Sequence, residues 1–162
     1  MMVRGETARN LKISTLSEAA ARKAWHLGAG YEFQQRPDGL EGLLKTYGLR
    51  TEGPPVAMDL GLLYQALNSR KVELIAANST DGLASVMDVA ILADDRHYFP
   101  PYECGIVVRS ETLARFPALR AAIGELSGKI SDTAMRKLNY SVDGEHRSLA
   151  ETASGFLANL PH

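Results

Sequence analysis

Apolar residues along the chain recur in two alternating patterns, helical stripes and short unbroken runs. Thr15-Leu16-Ser17-Glu18 has capping-box spacing, in which a hydroxyl and a carboxylate each satisfy a free backbone amide. It predicts an Ala-rich helix running to about Trp25, with Gly28 and Gly30 as its stop. Asp38 and Glu41 repeat that N-terminal logic after Pro37; Leu40, Leu43, Leu44 and Tyr47 then supply one apolar face, and Gly48 closes the helix. Beyond Gly53-Pro54-Pro55, Asp59 stands where a cap belongs, and Leu60, Leu63, Tyr64 and Leu67 recur at i, i+3, i+4 and i+7.

Val72 to Ala77, apolar apart from Glu73, reads as a strand buried in a sheet that helices flank. A turn is expected at Ser79-Thr80-Asp81-Gly82. Val89 to Leu92 and Ile106 to Arg109 read as further strands, separated by the polar Asp94-Asp95-Arg96 and the stiff Pro100-Pro101 pair. The remainder reads as helical, with starts at Ser110, Pro117 and Ser131 and a terminal stripe of Leu149, Ala153, Phe156, Leu157 and Leu160. Such alternation predicts an α/β fold, a sheet flanked by helices.

Composition narrows the picture. At 162 residues and 45% apolar content, without internal repeats or a Ser/Gly-rich linker, residues 1–162 read as a single region. The 18 basic and 19 acidic residues are interspersed, with no basic block to track a phosphate backbone, which argues against nucleic acid as a partner. No apolar stretch approaches the roughly 20 residues that span a bilayer. Met1-Met2-Val3 runs straight into Arg4, Gly5 and Glu6, so no signal peptide is legible. A single cysteine, Cys104, rules out an internal disulfide and reads as a small packing residue.

Catalytic chemistry has no local signature. His26, His97, His146 and His162 show no ligand spacing, so a metal site would need distant segments, and none is expected. Gly28-Ala29-Gly30 only begins a dinucleotide fingerprint, because position 33 is Phe33 and no strand is expected before it; no cofactor is expected. Neither a GxSxG elbow nor a cysteine beside a base is present. The polar Asp94-Asp95-Arg96-His97 run is the one cluster an enzyme reading can invoke, and it reads as a solvated loop. Tyr64, among leucines at helical spacing, reads as core.

Three segments place polar groups and aromatics at expected strand ends, where α/β folds hold ligands: Glu32 through Gly39, Asn78 through Gly82, and Tyr98 through Tyr102. For Asp38 a surface ion pair and helix cap is the simpler reading. For Thr80-Asp81-Gly82 an Asx-type turn and a functional hinge are equally compatible with the residues. Tyr102, after two prolines, either fills a core edge or forms a preorganised wall for a cation.

Taken in order, Lys12 through Ser17, Phe33 through Gly39, Met58-Asp59 through Leu67, Ser79 to Gly82, Asp94-Asp95 through Tyr102 and Leu138-Asn139-Tyr140 resemble the osmoprotectant-type binding proteins of ABC importers. These are glycine betaine, choline and carnitine receptors with a two-lobed type II periplasmic binding-protein fold. The resemblance implies a lobe of such a receptor, the second lobe plus a C-terminal return segment, since family members carry a first lobe before the part resembling Met1 to Ile13. It implies ligand contacts at Arg36, Asn78, Thr80, Asp81 and Tyr102. Arg36 would face a ligand carboxylate, Thr80-Asp81 would sit where the chain crosses between lobes, and Tyr102 would join an aromatic cage. Where the family commonly has tyrosine before the turn, this chain has Asn78. The implied function is solute binding without turnover, for a quaternary amine or related compatible solute. The implied partners are an ABC permease and either the missing first lobe or a second copy, and the implied location is periplasmic or otherwise extracytoplasmic. The rival reading is a truncated module that folds but binds no solute; ligand-dependent stabilisation separates the two.

Overall fold

The computed structural model describes residues 1–101 and 103–160. Its first part runs β1 (Met2–Arg4), α1 (Gly5–Leu11), α2 (Leu16–Arg22), β2 (Leu27–Ala29), α3 (Tyr31–Gln35), α4 (Leu40–Tyr47), β3 (Val56–Ala57), α5 (Leu60–Asn68) and β4 (Leu74–Ala76). A 3-10 turn over Gly82–Ser85 and β5 (Val89–Ile91) follow, and then α6 (Ser110–Arg115), α7 (Ala118–Gly124), α8 (Asp132–Asp143) and α9 (Leu149–Ala158). The expected α/β class holds.

The strands form one sheet in the order β3-β2-β4-β1-β5. β2 is parallel to β3 and β4, whereas β1 is antiparallel to both β4 and β5. The carboxyl ends of four strands and the amino end of β1 therefore share one edge of the sheet. Side chains alternate across it. Val3 and Leu74 join Leu16, Trp25, Leu27 and Leu43 on one face, while Met2 and Ile75 join Leu63, Tyr64, Leu67 and Val72 on the other. With both of its faces covered, β4 carries no polar alternation, which is why it reads as a plain apolar run.

Local signals set several helix ends. Thr15 makes the expected capping box with Glu18, and Gly48 closes α4 in the left-handed region at φ +63°. Asp38 does not cap α4: Gly39 holds that position, and the Asp38 carboxylate pairs with Arg36 instead. Asp59 supplies the cap backbone of α5 without a capping side-chain bond.

Other expectations fail on non-local contacts. α2 ends at Arg22, and Gly28 lies inside β2 rather than stopping a helix. A Cβ at Gly28 would stand 3.3 Å from side-chain atoms of Leu63 and Val72, so the missing side chain lets α5 lie close on the sheet. A strand does lead into Gly30, contrary to expectation, but α3 beyond it is only five residues long. β1 has no periodic signature, yet it sits between two strands. Ile106 to Arg109 forms no strand, and Val107 is 98% exposed, because a strand exists only where another backbone pairs with it. Cys104 is exposed, not packed.

Candidate ligand-binding site

The sheet edge where five strand ends meet opens into a cavity of about 620 Å³. Open α/β sheets bind ligands at the carboxyl ends of their strands, because the loops there diverge and leave a crevice. Each strand end contributes to the lining. After β2 come Gly30, Tyr31, Glu32, Phe33 and Arg36; after β3, Met58 and Asp59; after β4, Asn78 and Ser79; after β5, Asp94 and Phe99.

Two glycines shape this rim. A Cβ on Gly30 would stand 2.9 Å from Leu60, and one on Gly39 would stand 2.0 Å from the Phe33 carbonyl oxygen. The tight path at Gly39 returns the chain after Arg36 into α4. The phenol of Tyr98 donates to the Gly39 carbonyl at 2.9 Å, tying this loop to the one after β5. Phe33 and Phe99 then meet with ring centroids 6.1 Å apart, and Tyr98 packs edge-on against Phe99 at 4.9 Å.

Asp94 anchors the second of these loops. Its carboxylate accepts the Tyr47 phenol and the amides of Tyr98 at 3.0 Å and Phe99 at 2.9 Å. Burial works against the anion, but the bonds from Tyr47, Phe99 and Tyr98 outweigh it and hold the carboxyl below the usual carboxylate range. Burial, reinforced by the Asp94 anion, pushes the Tyr47 phenol up to about 12. Asp95 accepts the Ser17 amide at 3.1 Å, while Arg96 donates to Ser17 Oγ at 3.0 Å and to the Thr46 carbonyl at 2.7 Å. The Asp94-Asp95-Arg96 run is exposed from Asp95 onward, as expected from its polarity, and it also ties the β5 loop to α2 and α4.

Arg36 and Asn78, distant in sequence, line the same cavity. The Arg36 guanidinium donates from Nε and Nη2 to the two Asp38 oxygens at 2.9 and 2.6 Å, a fork that holds the Asp38 carboxyl low. Thr80 and Asp81 are not among the lining residues. Asp81 organises the turn behind the wall, accepting the Asn78 amide at 3.0 Å, Asn78 Nδ2 at 3.2 Å and the Tyr64 phenol at 3.2 Å. That last bond gives the buried Tyr64 a second role beside packing. Tyr102 lies outside the described residues.

Sequence reasoning placed Glu32 and Phe99 in ligand-holding segments without singling them out, and missed Met58 and Asp59 as wall residues. Their common signal is position, one to eight residues beyond a strand end, and it is usable only once the short strands are known. The wall combines three carboxylates, one guanidinium and the rings of Tyr31, Phe33 and Phe99, a set that suits a small cation or zwitterion with apolar bulk. Elsewhere, ligand atoms of His26, Glu52 and Glu73 lie within 4.8 Å of one another. Lys23 Nζ already stands 2.8 Å from both oxygens of the half-buried Glu73, so this cluster is an ion-pair network. No described helix is long and apolar enough to cross a membrane.

Comparison with known proteins bears on this arrangement. Residues 1–159 match the family described as the substrate binding domain of ABC-type glycine betaine transport system. The chain is 33% identical over 160 residues to the carnitine transport binding protein OpuCC of Listeria monocytogenes serotype 1/2a (strain 10403S), a match covering 96% of this chain and 51% of that protein. It is 32% identical over 156 residues to the ergothioneine transport permease/ergothioneine binding protein EgtU of Helicobacter pylori (strain G27), covering 96% of this chain and 28% of that protein. Among solved structures, a glycine betaine/carnitine/choline ABC transporter superposes with a TM-score of 0.88 at 39% identity, covering 97% of this chain and 58% of that one. Apo YehZ from Escherichia coli, at 22% identity and a TM-score of 0.77, shares the fold. The chain thus spans about half the length of the carnitine-binding relative.

Proposed function

The chain belongs to the substrate-binding domains of ABC-type glycine betaine transport systems, and from that membership we propose that it is a solute-binding lobe of an importer for glycine betaine, choline or a related quaternary amine. The observation that carries the reading is the cavity at the shared strand edge, where aromatic rings and carboxylates face one space. A quaternary ammonium donates no hydrogen bonds, so aromatic faces and anions hold it through charge, while the Arg36 guanidinium, steadied by Asp38, is the positive group that meets a carboxylate at the other end of a zwitterion. Arg36, Asn78 and Tyr102 are the proposed ligand contacts, and Thr80 and Asp81 shape the wall. Relatives named for carnitine and ergothioneine binding support the class of solute.

The proposed assembly is a receptor of two lobes, with this chain as the second lobe plus the return segment. It works outside the cytoplasm and hands its solute to an ABC permease. Ligand bound between two lobes favours closure because it touches both. Support comes from the return segment, where Ile106 is 60% and Val107 98% exposed with no strand beside them among the described residues. Apolar exposure of that kind marks a surface meant to be covered.

Calorimetric titration of glycine betaine and of choline into this chain, with and without a co-expressed first half of a close family member, tests the reading. The chain alone is expected to bind at millimolar concentration at best, and the paired halves at least tenfold more tightly, about 1.4 kcal/mol. If neither form binds either solute, the quaternary-amine reading is wrong.

A further inference from the structure

The wall of the cavity after β4 is held from behind by a helix far away in sequence. The Ser79 carbonyl accepts Arg136 Nη1 at 2.7 Å, and the Thr80 carbonyl accepts Asn139 Nδ2 at 2.8 Å. Arg136 and Asn139 stand three residues apart on α8 and so share a face. Arg136 Nη2 also donates to Thr133 Oγ1 at 3.0 Å, which fixes the guanidinium on its own helix. Gly82 brings the two backbones together: a Cβ there would stand 2.6 Å from the Tyr140 nitrogen and 2.8 Å from its Cα. From the other side, Asp81 bonds to Asn78 and Tyr64.

The loop from Asn78 to Asp81 is therefore clamped between α5 and α8, and its first two residues line the cavity. We propose that Arg136 and Asn139 are positioning residues of the ligand site: they set where Asn78 and Ser79 stand in the cavity wall, although neither lines it. A loop with few apolar contacts keeps one conformation only through bonds to its backbone, because each free carbonyl otherwise competes for water. Two charged or amide donors from one rigid helix supply those bonds together. α8 belongs to the part of the chain outside the main core, so whatever moves α8 also moves this wall. The inference rests on the cavity being the solute site.

Amide hydrogen exchange on the whole chain, alongside calorimetry with glycine betaine, separates the inference from that reading. In Asn139→Ala and in Arg136→Ala, the amides of Asn78, Asp81 and Ala84 are expected to lose protection about tenfold, while those of β2 and β4 stay unchanged. Arg136→Lys, which keeps a charged donor, should restore most of it. Gly82→Ala should reproduce the loss by pushing α8 away without touching either donor. Betaine affinity should fall several-fold in the same variants and recover with lysine. If those three amides exchange at the wild-type rate in both alanine variants, the positioning role is wrong, whether or not betaine binds. If they lose protection and betaine binds every variant equally, the loop is positioned but is not a wall of the site.

Discussion

Residues 1 to 92 and the chain beyond them are built on different physics. The first part holds every buried hydrophobic residue described, from Met2 to Leu92, in two clusters that sandwich a five-stranded sheet. The second part carries four helices with no buried residue among those described, and it leaves Val107, Phe116 and Leu149 exposed. Its helices are nonetheless well signalled: Ser131 caps α8, and Ser148 makes a full capping box with Glu151 on α9. Capping fixes where a helix begins at a gain of only about 1 kcal/mol, whereas burial supplies the bulk of stability. One part is therefore specified by its core and the other chiefly by its local signals.

The sharpest way to break this contrast is a pair of truncations. Leu74→Ala, at a fully buried site, is expected to cost about 3–4 kcal/mol in urea unfolding, while Phe116→Ala changes stability by less than about 0.5 kcal/mol. Equal losses would show that the second part has a core of its own. Next in size is Asp94→Asn, expected to cost roughly 2 kcal/mol at neutral pH through the bonds from Tyr47, Tyr98 and Phe99. The sign of its pH dependence follows from a depressed folded-state value. The carboxylate stabilises the fold above its ordinary range and loses that contribution as pH falls through the lower folded value. The gap between wild type and variant should therefore close on acidification; a gap constant with pH would point to packing instead of charge.

A smaller effect sharpens the same comparison. Ser148→Ala removes the α9 cap and is expected to cost about 1 kcal/mol locally, seen as faster amide exchange in α9 with an unchanged unfolding midpoint for the sheet. A matching shift of that midpoint would mean that the two parts unfold as one unit. The least effect on the chain alone is expected from Val107→Asp, within about 0.5 kcal/mol because the side chain is in water. The same variant should abolish association with a first half if Ile106–Arg109 is the strand that the other half pairs with. Undiminished association by analytical ultracentrifugation would remove that segment from the interface.

Much of this was legible in the residues, and the boundary is physical. Capping boxes, the Gly48 stop and the i, i+3, i+4 stripes of α4 and α5 act within one turn of their own residues, so reading them requires no partner. The ordered segments that carry the family resemblance likewise pointed to Arg36 and Asn78, which line one cavity and whose contact with a ligand is a proposal. Only the tertiary structure decided that Met2–Arg4 is an inner strand, that Gly28 serves a close helix contact and that Ile106–Arg109 stays unpaired, because a strand is defined by the backbone beside it. It also decided which acids face the cavity. Asp38 made the surface ion pair with Arg36 that its sequence position suggested, but Asp81 turned to the loop behind the wall, and Asp59 and Glu32 to the open space, although all are ordinary carboxylates in the sequence. A side chain's composition fixes what it can bind, but the distance to its partners, set by the fold, decides what it does bind.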